Sequence, residues 1–143
     1  MKLAIATIGY KSYSNVVNRV RESYASDRVP DEYVIVVNPY KFRIDDTTKI
    51  LDDLSSDKIR GVTRWAYLSE NIGCAKAFNL GFSMCNSDVI IALSDDCAVG
   101  PTTYSKILRE FENPTVGIVG VEGGGMSEDS AVTAKGFILA YRK

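Results

Sequence analysis

Short β-rich apolar segments alternate with amphipathic helical patterns along the whole of this 143-residue sequence. Six strands are predicted, at 2–8, 32–38, 61–68, 88–93, 116–121 and 135–143. Four helices are predicted within 13–26, 45–56, 71–85 and 101–114. Because strands joined through helices usually run parallel, this order predicts an α/β fold. The expected architecture is a Rossmann-like three-layer sandwich, with helices on both faces of a mainly parallel sheet.

Length and composition limit the class of protein. A single domain spanning 1–143 is expected, since this is a common domain size, and 45% hydrophobic residues suffice for a core. The net charge is −1, so no general nucleic-acid-binding surface is expected. No apolar run is long enough to predict a transmembrane helix. The apolar stretch near the N-terminus is interpreted as the first strand and not as a signal peptide.

The sequence contains no histidine, and this absence excludes several kinds of catalytic site within the chain. Ser-His-Asp catalysis, Cys-His catalysis and His-ligated zinc are all excluded. The three cysteines form no CxxC pair, which predicts reduced, mostly buried thiols and a cytoplasmic protein. An alternative role for Cys97, which follows two acids, is that of a soft metal ligand.

Two adjacent acids, Asp95 and Asp96, directly follow the apolar strand predicted at 88–93. In open α/β sheets, ligands bind beyond the carboxyl ends of the strands, which is where this pair is expected. One interpretation is that the acids cap the next helix or form a solvated turn. The other is that they hold a divalent cation against phosphate oxygens, because carboxylates supply the hard ligands that Mg²⁺ or Mn²⁺ prefers.

A second motif, SENIGCAKAFNLGF, occupies residues 69–82. Asn71 and Gly73 predict a turn, and Lys76 adds a cation near the start of the following helix, where N–H groups already favour phosphate. The alternative interpretation is an ordinary turn followed by an amphipathic helix. The sequence has neither a GxGxxG nor a GxxxxGK[ST] motif, so dinucleotide-binding and P-loop sites have no support.

Taken together, these motifs resemble the family 2 glycosyltransferases, which have the GT-A fold. That family typically shows the pattern Asn-x-Gly-x-Ala-x-Ala-x-Asn-x-Gly, then an apolar strand that ends in an acid cluster, then a proline. The first pattern is filled here by Asn71, Gly73, Ala75, Ala77, Asn79 and Gly81. The acid cluster corresponds to Ser94-Asp95-Asp96, and the proline to Pro101. The resemblance covers essentially the whole chain and is strongest from 69 to 120.

The resemblance implies a donor site for a nucleotide-diphosphate sugar, most readily a UDP-sugar, with a bound Mn²⁺ or Mg²⁺. Asp96 matches the usual metal ligand, and Asp95 matches a position near the ribose or the metal. The remaining donor-binding positions that the resemblance implies are Thr7, Asn38, Asn71, Gly73, Lys76 and Asn79. Transfer to an acceptor would proceed by direct displacement with inversion.

The sequence departs from the family pattern at three places. Ser94 replaces the first acid of the cluster, and Asn38 stands where an aspartate usually reads the nucleobase. The acidic motif that supplies the family's general base has no match in these residues, and neither Glu128 nor Asp129 is assigned that role. Two alternatives therefore stay open: a non-catalytic sugar-nucleotide-binding or interaction domain, and a subunit, or homo-oligomer, whose acceptor site comes from a partner.

Overall fold

The computed structural model describes residues 1–10, 12–39, 44–121 and 138–143. Within these ranges the strands are β1 (Leu3–Gly9), β2 (Glu32–Val37), β3 (Arg64–Tyr67), β4 (Val89–Ser94), β5 (Ile118–Val121) and β6 (Ile138–Arg142). The helices are α1 (Tyr13–Tyr24), α2 (Ile44–Ser55), α3 (Cys74–Ser83) and α4 (Thr103–Glu110). The glycine-rich segment with Glu128 and Asp129 lies outside the described residues.

The strands form one sheet in the order β3-β2-β1-β4-β6-β5. Strand β1 pairs in parallel with both β2 and β4, and β3 pairs in parallel with β2. Strand β6 runs antiparallel to its neighbours β4 and β5. The prediction of an α/β fold with a mainly parallel sheet is therefore confirmed. The segments predicted at 2–8, 32–38 and 88–93 are indeed the neighbouring strands at its centre.

The two faces of the sheet carry side chains of different size, because successive residues of a strand point to opposite faces. On one face, Leu3 and Ile5 of β1 pack in a cluster with buried residues of α1, α2 and α4. On the other face, Ala4 and Ala6 leave room for α3. A Cβ atom added at Gly81 of α3 would lie 3.4 Å from the Cβ of Ala6. The small residues therefore allow α3 to lie close against the sheet.

Strand β3 is shorter than the sequence predicts, because it begins at Arg64 and not near Gly61. Gly61 has a φ of +93°, which is left-handed backbone, and a side chain there would clash with the ring of Tyr24. The chain therefore turns before it enters the strand. At the other end of the sheet, β4 extends through Ser94, so that Asp95 is the first residue after the strand.

The three cysteines are free thiols, as predicted. The expectation that most of them are buried is wrong: Cys85 is buried, but Cys74 is exposed and Cys97 is half-buried. Cys74 begins α3 and Cys97 follows the acid pair, and both positions lie at the carboxyl edge of the sheet, where polar residues meet solvent. In the part of the chain that the structure describes, no helix is both long and apolar enough to cross a membrane.

Candidate functional site

The carboxyl ends of β1, β2 and β4 meet at one edge of the sheet, where a single peptide group of β1 contacts the residues after both neighbouring strands. The main-chain N–H of Asn38 donates to the carbonyl oxygen of Gly9, at 3.0 Å. The N–H of Tyr10, which belongs to the same peptide group, donates to Oδ2 of Asp95 at 3.1 Å. Asn38 and Asp95 therefore lie on either side of β1 at the same edge, as their sequence positions predict.

Asp95 is almost fully buried, with 3% of its surface exposed. A buried carboxylate requires polar partners, because the loss of water is otherwise costly. The Tyr10 N–H is one such partner. From α1, Nη1 of Arg19 donates to the main-chain carbonyl of Asp95 at 3.4 Å. The position of Asp95 is thus fixed from two directions, by β1 and by α1.

Glu22 extends the contact between α1 and the segment after the acids. Its Oε1 lies 2.5 Å from Nη2 of Arg19, and its Oε2 accepts the N–H of Val99 at 3.0 Å. The Arg19 side chain is nine-tenths buried in this arrangement. One ion pair on α1 therefore binds the main chain of the 95–99 segment at both of its ends.

Asp96 is half-buried, and its Oδ1 accepts a hydrogen bond from the hydroxyl of Ser94. The N–H of Cys97 donates to the carbonyl of Ser94 at 3.1 Å, so residues 94–97 form a turn. A serine at position 94 gives Asp96 a hydrogen-bond donor. An acid at the same place would instead add a third negative charge beside two existing ones.

The acid pair affects the pKa of two nearby thiols, those of Cys74 and Cys97. Burial raises the pKa of Cys74, and the negative charges of Asp95 and Asp96 raise it further. Burial also raises the pKa of Cys97, with Asp96 as the next cause. The first residue of α3 therefore lies near both carboxylates, and we refer to the region between the start of that helix and the acids as the carboxyl-edge crevice.

Among the described residues, no group of three or more cysteines and acids is placed to hold a metal ion. The alternative role of Cys97 as a soft metal ligand therefore gains no support from the structure.

Asn38 and Asn71 join the end of β2 to the turn before α3. Nδ2 of Asn38 donates to Oδ1 of Asn71 at 3.3 Å, and Oδ1 of Asn38 accepts the N–H of Ile72 at 3.1 Å. Oδ1 of Asn71 also accepts the N–H of Gly73 at 2.8 Å. Gly73 has a φ of +85°, which favours glycine. The Asn38 side chain, 1% exposed, therefore positions the 71–73 turn.

Three other residues expected at the site, Thr7, Lys76 and Asn79, take no part in the hydrogen bonds around Asn38. Thr7 is fully buried, and its hydroxyl is hydrogen-bonded to that of Tyr33 at 2.8 Å, within the core under α1. Its side chain therefore takes no part in the site described here. Lys76 and Asn79 lie on the exposed side of α3, whereas the opposite side of that helix packs on the sheet.

The sequence interpretation missed the roles of Tyr10, Arg19 and Glu22. For Arg19 a signal was available. The buried positions of α1 are Val16, Arg19, Val20 and Ser23, which follow the i, i+3, i+4, i+7 spacing of a core-facing stripe. A charged residue within such a stripe indicates a specific polar partner. The main-chain contact of Tyr10 has no signature in the sequence, because any residue type supplies an N–H there.

The sequence and the fold are both similar to those of known proteins. The family model described as "Glycosyl transferase family 2" matches residues 10–135. The sequence has no significant match among curated proteins. Solved structures do match, but their sequence identities to this chain are so low that they support only a similarity of fold.

Three of the similar structures are glycosyltransferases with the GT-A fold. The mannosyltransferase PcManGT from Pyrobaculum calidifontis, in complex with GDP-Man and Mn²⁺, has a TM-score of 0.72 at 14% identity; the match covers 99% of this chain and 44% of that one. S. aureus TarS 1–349 in complex with UDP-GlcNAc has a TM-score of 0.60 at 18% identity; the match covers 89% of this chain and 37% of that one. Glucosyl-3-phosphoglycerate synthase from Mycobacterium tuberculosis, in complex with Mn²⁺ and UDP, has a TM-score of 0.58 at 11% identity; the match covers 82% of this chain and 42% of that one. The chain thus spans less than half the length of each.

Proposed function

This chain belongs to glycosyl transferase family 2, and from that membership we propose that its carboxyl-edge crevice binds a nucleotide-diphosphate sugar together with a divalent cation. The observation that carries the proposal is the chain of hydrogen bonds that runs from Asp95 through the Gly9–Tyr10 peptide to Asn38, and from the Asn38 side chain to the turn before α3. The crevice also lies where open α/β sheets bind their ligands.

The residues present fit a hard divalent cation. Mg²⁺ is usually bound by one or two carboxylates together with substrate phosphates, and it does not need a cage made only of protein ligands. Asp96 and Asp95 would supply the carboxylates, and the donor diphosphate would supply the remaining oxygens. Asp96 is the more exposed of the two, and we assign it as the main metal ligand. When bound, the cation would stabilise the departing nucleoside diphosphate as a Lewis acid.

The start of α3 is suited to the diphosphate of the donor. The first N–H groups of a helix have no partner within the helix and carry partial positive charge. The first turn of α3 contains no acidic residue, and Lys76 lies within it. Gly73 precedes the helix, and a Cβ atom added there would meet nothing within 4 Å. We therefore assign Asn71, Gly73 and Lys76 to the phosphate side of the donor, and Asn79 to a position further along the same helix.

The nucleoside is assigned to the end of β2. Asn38 holds the 71–73 turn through its side-chain amide, so it would shape the nucleoside pocket through that turn. The similar structures bind GDP-Man in one case and UDP-GlcNAc or UDP in others. UDP-sugars are the first donors to test, and GDP-sugars the second. Transfer would invert the configuration at the sugar, as in the family; the acceptor and the general base are not assigned.

Thermal melting of the wild type and of Asp96→Asn, with UDP and Mn²⁺ alone and together, tests the proposal. We expect the pair of ligands to stabilise the wild type by about 2.7 kcal/mol at a ligand concentration one hundred times the dissociation constant, and Asp96→Asn to lose this gain. Asp52→Asn, on the exposed side of α2, is the matched control and should keep it. A lower melting temperature for Asp96→Asn without any effect of metal would support the capping interpretation instead.

Binding and transfer need separate measurements. Hydrolysis and transfer assays with a panel of UDP- and GDP-sugars, with and without Mn²⁺, report on turnover directly. Release of sugar from a donor that also stabilises the protein supports a transferase. Stabilisation without turnover on any donor supports the alternative, a sugar-nucleotide-binding domain or a subunit that depends on a partner.

A further inference from the structure

A groove of about 580 Å³ runs between α1 and the 58–61 segment that connects α2 to β3. Its volume falls within the range of small-molecule sites, about 300–1,000 Å³. Val17 and Val20 of α1 and Ile59 of the connection provide an apolar floor. The rings of Tyr13 and Tyr24 lie along the same side of α1. The groove therefore combines a concave shape with an apolar base, as ligand-binding sites do.

Positive charge dominates the walls of this groove. Arg21, Lys58 and Arg60 line it, and none of the described residues that line it is acidic. Lys58 lies 3.6 Å from Asp53, so part of its charge is compensated. The other ion pairs between described residues involve neither Arg21 nor Arg60, and both side chains are exposed. The whole chain has a net charge of −1, so this concentration of cations is local.

The cationic end of the groove is separate from the crevice that holds the acid pair. Strand β1 ends at that crevice, and α1 then returns along the sheet, so Arg21 and Tyr24 lie toward its amino edge. Lys58 and Arg60 precede β3, which enters the parallel sheet from that same edge. Arg19 and Glu22, on a different side of α1, contact the acid turn. The groove is thus a second site and not an extension of the first.

We propose that this groove binds a small organic phosphate. Guanidinium groups favour phosphate because their donors match its oxygens in pairs. A phosphate monoester carries a charge of about −1.5 to −2 at neutral pH, which balances two uncompensated arginines better than a single carboxylate does. The apolar floor and the tyrosine rings would contact the organic part of the ligand.

Calorimetric titration of the full chain, in EDTA and without divalent metal, tests this proposal with three probes. Inorganic phosphate supplies the phosphate charge alone, glucose 1-phosphate represents a free phosphoester, and a water-soluble short-chain phosphatidate represents a lipid headgroup. We expect at least one of the two organic phosphates to bind more tightly than inorganic phosphate, and the tighter of them identifies the source. The double variant Arg21→Gln/Arg60→Gln should bind it about tenfold more weakly or worse.

Two control proteins make the result specific. Lys106→Gln/Arg109→Gln removes two exposed cations from α4 and should bind the probe as the wild type does. Asp96→Asn should also bind it normally, because the donor crevice is not involved, so this outcome is independent of the proposed function. The proposal is overturned if no organic phosphate binds, if the groove variant keeps wild-type affinity, or if binding disappears in Asp96→Asn.

Discussion

The guanidinium of Arg19 donates a hydrogen bond to the main-chain carbonyl of Asp95, from a side chain that is nine-tenths buried. The bond acts on the main chain, so it fixes the position of the acid and leaves the carboxylate to its other contacts. The Nε of Arg19 is buried and has no hydrogen-bond partner among the described residues. A buried donor without a partner costs free energy, and the arginine is held there in spite of that cost.

Replacing Arg19 by glutamine should therefore affect both stability and the acid turn. We expect the free energy of unfolding to fall by about 1–3 kcal/mol, because the carbonyl of Asp95 and the carboxylate of Glu22 lose a charged donor. Affinity for UDP with Mn²⁺ should fall as well, and Arg19→Lys should restore part of it. Urea unfolding and calorimetry measure the two effects. If Arg19→Gln loses stability but binds the ligands normally, the residue only supports the fold.

Asp95→Asn, compared with Asp96→Asn, should distinguish the roles of the two acids. The substitution keeps the shape of the side chain but weakens the hydrogen bond from Tyr10, because bonds to a charged acceptor are stronger than those to a neutral one. We expect a stability loss of about 1 kcal/mol and a smaller loss of Mn²⁺-dependent UDP affinity than Asp96→Asn causes. Melting curves and titrations of both variants decide this. Equal losses of affinity would instead make both carboxylates direct metal ligands.

Asn38→Ala should destabilise the protein and loosen the turn before α3. The change removes the acceptor of the Ile72 N–H and one of the two donors to Oδ1 of Asn71, at a position that is 1% exposed. We expect a loss of about 2 kcal/mol in the free energy of unfolding. Asn79→Ala, on the exposed side of α3, is the control and should stay within about 0.5 kcal/mol. An unchanged free energy of unfolding in Asn38→Ala would show that the hydrogen bonds of this side chain contribute little to stability.

The reactivity of Cys74 should report on the charge of the acid pair. Its pKa is raised by burial and then by Asp95 and Asp96. The thiolate is the reactive form, so alkylation at pH 7 should be slow and should accelerate as the pH rises toward the raised pKa. Asp96→Asn removes one of the charges, lowers the pKa of Cys74 and should accelerate alkylation.

The rate is measured with iodoacetamide in a Cys97→Ser background, because Cys97 is also partly exposed. Cys85 is buried, and burial raises its pKa to about 11, so it should react last. Asp52→Asn serves as the charge control and should leave the Cys74 rate unchanged. An unchanged rate in Asp96→Asn would place Cys74 farther from the acids than the structure does.

The sequence predicted the central strands and the edge where the acids lie, because apolar runs and their order determine which strands can pair. It did not predict the antiparallel direction of β6, since an apolar run carries no information about direction. The family resemblance assigned Thr7 and Asn38 to the donor site by their positions near the ends of strands. Whether a polar side chain at a strand end faces a ligand or another residue depends on distances across the fold. Here the hydroxyl of Thr7 is hydrogen-bonded to that of Tyr33, and the side-chain amide of Asn38 donates to that of Asn71.

The peptide group between Gly9 and Tyr10 has a mechanical consequence. A peptide is planar and resists twisting, and this one accepts a bond from the main chain of Asn38 through its oxygen and donates to Asp95 through its nitrogen. It therefore acts as a rigid spacer between two walls of the crevice and holds their separation at one value. A ligand bound there would meet walls that are already held in place, so binding would require little ordering of them. Any adjustment to ligands of different size should come from the 71–73 turn, which closes the crevice from the side of α3.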